Sequence, residues 1–274
     1  MRFTSKIFRV LILGLILSAC ADTGKDKDEY ADWTAEQFYT GAKKALTSKY
    51  YEKAVKLYEK LEARFPFGNY ATQAQLDIAY AYYKNDEPES ALAAADRFIK
   101  QNPTHPNVDY AYYIKGLVNY NRGIGFLDRF LPTDSSQRDS GSALDSYQEF
   151  ESLTQRYPHS TYVADARQRM IALRDNLALH EIHVADYYLR RKAYLAAAQR
   201  AATVVREYQR TPAVPKALQI MEEAYRKLDM NDLAEDIRKV YQLNYAQGVP
   251  GQAGDLVGHS LLERVWNFLG FDKQ

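Results

Sequence analysis

From Trp33 onward, apolar and small residues recur with helical spacing, and whole blocks of the pattern recur every 37 residues. Ala42, Ala79 and Gly116 stand 37 apart, as do Tyr39, Leu76 and Tyr113, and Leu46, Tyr83 and Tyr120. The second part of each block keeps the same interval in Ala54 and Ala91, Leu61 and Phe98, and Pro66 and Pro103. A small residue at a fixed position lets two helices approach closely. Large residues fill the groove between them, and the proline stops the second helix. The pattern therefore predicts a run of helix–turn–helix units.

Later copies drift but are traceable. Ala185 and Tyr194 follow Ala42 and Tyr51 by 143 residues, and Met221, Tyr225 and Ala234 follow Ile78, Tyr82 and Ala91 by the same interval. Five units result, at about 34–66, 69–103, 107–158, 160–209 and 212–245. Residues 33–106 hold units one and two, 107–158 hold unit three, and 159–245 hold units four and five. Ser146, Phe150, Leu153 and Pro158 come 55 residues after their equivalents in unit two, so unit three carries an expected insertion at about 122–139. Its run from Arg122 to Thr133, with Phe126, Leu127, Phe130 and Leu131, suits either partner docking or the capping of exposed helix ends. Residues 161–192 contain no Gly or Pro, which predicts a long first helix in unit four. The architecture resembles the tetratricopeptide repeat, whose period is about 34. The expected fold is all-α, a superhelix of five such repeats. Residues 246–274 read as a glycine-rich linker and a short amphipathic helix, with Leu261, Leu262, Val265, Trp266 and Leu269 on one stripe.

The start of the chain has another pattern. Arg2, Lys6 and Arg9 precede an apolar run from Val10 to Leu17, too short for the roughly 20 residues of a spanning helix. Leu17-Ser18-Ala19-Cys20 follows, and Cys20 is the only cysteine. The segment resembles a bacterial lipobox: residues 1–19 as signal peptide, Cys20 as the acylated mature N-terminus and lipid anchor, residues 20–32 as a polar tether. Ala21 at the next position favours the outer membrane, by resemblance to sorted lipoproteins. Removing residues 1–19, with three positive charges and no negative ones, takes the formal net charge from +1 to about −2. A near-neutral chain without basic clusters is a poor nucleic-acid binder. With Cys20 acylated no thiol is left for disulfides, thiolate catalysis or zinc. No cofactor beyond the covalent lipid is expected.

Nothing in the sequence argues for an enzyme. There is no nucleophile elbow, P-loop or zincin motif. His180, His183 and Asp186 share a helix face, but no second element offers a further metal ligand, so packing between helices is the stronger reading. Gly123 and Gly125 lack the third glycine of a dinucleotide fingerprint. The informative feature is aromatic. Leu76, Tyr80 and Tyr83 fall at i, i+4 and i+7, and Tyr113, Leu117 and Tyr120 repeat the spacing, as do Tyr39, Lys43 and Leu46. On the inner helices of a repeat array these rings suit an extended peptide with alternating side chains. They suit the core between repeats equally.

Arg64-Phe65-Pro66-Phe67-Gly68, Ala79-Tyr80-Ala81-Tyr82-Tyr83-Lys84, Asp96-Arg97-Phe98-Ile99 and the run from Asn102 to Tyr110 resemble the BamD (ComL/YfiO) lipoprotein family over residues 1–245. That resemblance implies a non-enzymatic lipoprotein of the β-barrel assembly machinery, on the periplasmic face of the outer membrane. It implies as partners a POTRA domain of BamA, other Bam lipoproteins and unfolded outer-membrane β-barrel proteins, whose C-terminal signal the N-terminal repeats receive. The candidate peptide groove comprises Tyr39, Leu76, Tyr80, Tyr83, Tyr113 and Tyr120, with Phe65, Phe67 and Arg97 near its rim by resemblance. The C-terminal repeats face BamA, and Arg200, set among Ala197, Ala198, Ala201 and Ala202, is the candidate docking residue. Two other readings remain open: a repeat lipoprotein in peptidoglycan or pilus/secretin assembly, and a hydrolase built on His180, His183 and Asp186.

Overall fold

A computed structural model describes residues 29–122 and 140–245. The signal peptide, Cys20, most of the tether, the expected insertion and the 246–274 extension lie outside the described residues. Within them the chain is entirely helical, in ten helices: α1 Ala35–Thr47, α2 Tyr51–Arg64, α3 Asn69–Lys84, α4 Pro88–Gln101, α5 Val108–Arg122, α6 Gly141–Arg156, α7 Val163–Arg190, α8 Tyr194–Glu207, α9 Val214–Lys227 and α10 Asn231–Tyr245. Each packs on the next, giving five helix pairs. First helices also meet one another, α1 with α3, α3 with α5 and α7 with α9. This is a tetratricopeptide-type array.

The repeated residues explain the repeated geometry. Ala42, Ala79, Ala54 and Ala91 are all fully buried, as are Leu61 and Phe98. Gly116 takes the small position of the third pair, where a Cβ would stand 2.3 Å from the Phe150 ring, so even alanine is too large there. Thr34 opens the array with a capping box to Gln37. Four turns inside pairs use one device: Lys49, Asp86, Lys192 and Asp229 have φ near +60°. In each, the next residue donates its N–H to the carbonyl five positions back, as Tyr50 does to Ala45 at 2.9 Å and Met230 to Tyr225 at 3.0 Å. This is a Schellman closure built on residues other than glycine.

The long helix expected in the fourth pair is present: α7 has 28 residues. Its first half contributes Ala166 and Leu173 to a cluster with Leu117, Phe150 and Leu153 of the third pair. Its second half contributes Ala178, Ile182 and Ala185 to the core of α8 and α9. One continuous helix thus belongs to two cores.

Candidate functional site

The first helices carry most of the candidate groove, and the structure divides it into two linked networks. The first surrounds Asp77 on α3, which is 6% exposed. Its Oδ2 accepts from the Tyr39 hydroxyl at 3.0 Å, from Lys43 Nζ at 3.0 Å and from the Tyr58 hydroxyl at 3.3 Å, while Oδ1 accepts from Gln73 Nε2 at 3.0 Å. A buried carboxylate needs this many donors to offset its lost hydration. Burial, then the Asp77 charge, pushes the Tyr39 and Tyr58 hydroxyls well above the usual phenol range. Tyr70 lies beside Tyr39 with ring centroids 5.6 Å apart, and it is 39% exposed.

The second network is a ladder of rings. Tyr83, Tyr80, Tyr110, Tyr162 and Tyr113 follow one another at centroid distances of 6.0, 6.4, 5.2 and 4.7 Å. Tyr113 stacks on Tyr162 with an interplanar angle of 19°. Its hydroxyl donates to Asp165 Oδ2 at 2.7 Å. Burial, and then that hydrogen bond, pushes the Tyr113 hydroxyl up to about 12. Arg169 Nε donates to the same Asp165 oxygen at 2.6 Å, and its guanidinium lies 4.9 Å from the Tyr120 ring centroid. Asn121 donates to the Tyr83 hydroxyl.

The structure places the expected groove positions in different surroundings. Leu76 is 1% exposed and belongs to the core, because its face of α3 is turned to the neighbouring helices. Phe65 is half-buried, 6.3 Å from Phe38, and packs on the first core. Arg97 is on a second helix, where its Nη2 meets Glu62 of α2 at 2.9 Å. It sits with the second helices, not beside the tyrosines of the first. Tyr39, Tyr80, Tyr83, Tyr113 and Tyr120 are all half-buried and engaged with neighbours. Phe67 is 89% exposed, in the turn before α3. There Gly68 adopts φ +104°, a conformation that favours glycine.

Sequence reasoning missed Asp77 and Tyr70. The signal for Asp77 was an acid at the place in the 37-residue period where Ile114 is fully buried. Tyr70 gave no periodic signal, since its equivalent in the next repeat is Asn107. Among the later repeats, Arg200 is exposed and its Nη1 meets Glu181 of α7 at 3.2 Å. Asp186 pairs with Lys216 at 3.7 Å. Among the described residues, no group of three His, Cys, Asp or Glu side chains is gathered as a metal would require. No described helix is long and apolar enough to cross a membrane.

The model of the YfiO family, outer membrane lipoproteins, matches residues 31–240, from the end of the tether into the last helix. The chain belongs to this family. It is similar to the outer membrane protein assembly factor BamD of Neisseria meningitidis serogroup B, at 49% identity over 88% of this chain and 91% of that one. The corresponding Vibrio cholerae factor is 38% identical over 84% of this chain and 95% of its own length. That of Haemophilus influenzae is 32% identical over 87% and 90%.

Proposed function

We propose that this protein is a lipid-anchored, non-enzymatic assembly factor for outer-membrane β-barrel proteins. It holds BamA through its later repeats and receives the C-terminal strand of an unfolded barrel on the aromatic face of its first two repeats. The observation that carries the reading is the joint presence of the family match over nearly the whole array and an aromatic face with exposed rings at one end. Phe67 and Tyr70 supply open apolar surface there, and half-buried Tyr39 and Tyr80 supply hydroxyls and ring edges. Such a mixture suits a strand with alternating aromatic and polar side chains. Lys43, half-exposed beside Asp77, places a cation next to it. A strand's terminal carboxylate would meet that charge.

The anchor is part of the same proposal. Stable membrane attachment takes more than one acyl chain, which a lipidated N-terminal cysteine supplies. Cys20→Ala is expected to leave the array folded and release it from the outer-membrane fraction in cells depleted of BamA. Retention of that variant in the membrane fraction would show another tether. Crosslinking in cells tests the partner reading: recovery of BamA and barrel precursors supports it, whereas recovery of peptidoglycan enzymes or secretins favours the other scaffold role.

A further inference from the structure

The last helix of the array is left unfinished. α10 buries only Ala234 and rests Ile237, Tyr241 and Tyr245 on the core of the preceding pairs. Beside that contact runs a second apolar strip. Met230, Leu233, Val240 and Leu243 are 45, 44, 42 and 84% exposed. With Ile237, the first three fall at i, i+3, i+7 and i+10, one line about 15 Å long, and Leu243 lies about 60° further round the helix. Every earlier pair meets a following helix. A solenoid must end on a polar outer surface, and among the described residues this one ends on an apolar strip.

The sequence supplies a complementary element. Leu261, Leu262, Val265, Trp266 and Leu269 share one helical face, and residues 246–260 separate them from α10. Those fifteen residues include Gly248, Gly251, Gly254 and Gly258. A flexible linker of that length spans roughly 20 Å on average, close to the length of α10 itself. The tethered segment is thereby held at millimolar effective concentration beside the strip. We propose that residues 261–269 fold back onto α10 and cap the array, with Trp266 and its neighbours covering Met230, Leu233, Val240 and Leu243. The cap does not depend on the assembly role proposed above.

The single native cysteine makes the test clean. In the full chain carrying Cys20→Ala, Leu243→Cys is combined with Leu262→Cys, and mild oxidation is followed on non-reducing gels. Gln242→Cys with Leu262→Cys is the control, since Gln242 lies about 100° around α10 from Leu243 and is exposed. An intrachain disulfide forming about ten-fold faster than in the control, at a rate independent of protein concentration, is the expected result. Adding Trp266→Ala should return that rate to the control value while the helical content stays unchanged. Equal rates for the two pairs would overturn the proposal. So would an interchain product that grows with concentration, which would assign the strip to a second copy, or a preference that needs added BamA.

Discussion

The Tyr113 hydroxyl donates a 2.7 Å hydrogen bond to Asp165, joining the first helix of the third repeat to the first helix of the fourth. Arg169 shares that carboxylate, and Tyr162 stacks on the Tyr113 ring. A residue expected to meet substrate is therefore also a strut between repeats. Tyr113→Ala should lower the melting temperature, by the 2–4 kcal/mol or so of a large half-buried truncation. Tyr113→Phe keeps the stack and loses only the hydrogen bond, at a cost of about 1 kcal/mol. Thermal unfolding of the two variants separates these contributions.

The same site sets an acid limit. The hydrogen bond from Arg169 holds the Asp165 carboxyl below the usual carboxylate range, with a further contribution from Tyr113. A depressed folded value means the stabilisation is complete above the unfolded value near 3.8 and is lost as pH falls below it. The side chain is 44% exposed, so solvent screening limits the effect to about 0.5–1 kcal/mol. Asp165→Asn should be less stable than the parent at pH 7, and the gap should close as pH falls toward 3. An unchanged gap across that range would contradict the assignment.

Burial, seconded by Asp77, governs the alkaline side. Tyr39 and Tyr58 have hydroxyls raised by burial and by the Asp77 charge, so the folded state favours their neutral forms. The associated stability is present below the unfolded phenol value of 10.0 and is lost as pH rises above it. Ultraviolet titration should find these two, together with Tyr82 and Tyr110, whose hydroxyls burial also raises, ionising only as the protein unfolds. Asp77→Ala leaves the buried Tyr58 hydroxyl and the half-buried Tyr39 hydroxyl without their acceptor, and should cost about 3 kcal/mol or more at pH 7.

Substrate affinity and stability should separate by residue. Phe67→Ala and Tyr70→Ala remove exposed rings, so the melting temperature should hold within a degree or two. Binding of a barrel-protein C-terminal peptide should weaken by about 5- to 150-fold if these rings are its anchors. Unchanged peptide affinity in both would place the substrate elsewhere on the array. For BamA docking, Arg200→Glu loses the Glu181 pair as well as any partner contact. The double exchange Arg200→Glu with Glu181→Arg restores the internal pair, and BamA copurification should remain weak in it.

A stabilising change is also available. Lys192 closes its turn at φ +62°, a conformation glycine adopts without strain. Lys192→Gly should raise stability by up to about 1 kcal/mol, read as a higher melting temperature.

The fold was legible because the repeat is written in small residues. Ala42, Ala79 and Gly116 mark helix contacts that no larger side chain can enter, and Pro66 and Pro103 mark where second helices end. The long α7 was legible from the absence of breakers across residues 161–192. The groove was less so. Periodicity places Leu76 and Tyr80 on the same helix, yet 1% exposure for one and half-burial for the other depends on how neighbouring pairs twist together. The resemblance sets Arg97 near the tyrosines, whereas its neighbour in the fold, Glu62, lies 35 positions away on the preceding second helix. The turns on Lys49, Asp86, Lys192 and Asp229 carry no glycine to advertise them.

The membership of α7 in two cores has a mechanical consequence. At 28 residues the helix is about 42 Å long, a stiff beam clamped at both ends. A tilt of about 5° imposed at Tyr113 and Asp165 would carry its far end nearly 4 Å, toward the turn before α8. Load applied to the half that packs on the third repeat thus reaches the half that packs on α8 and α9 as leverage, without any intervening hinge to absorb it.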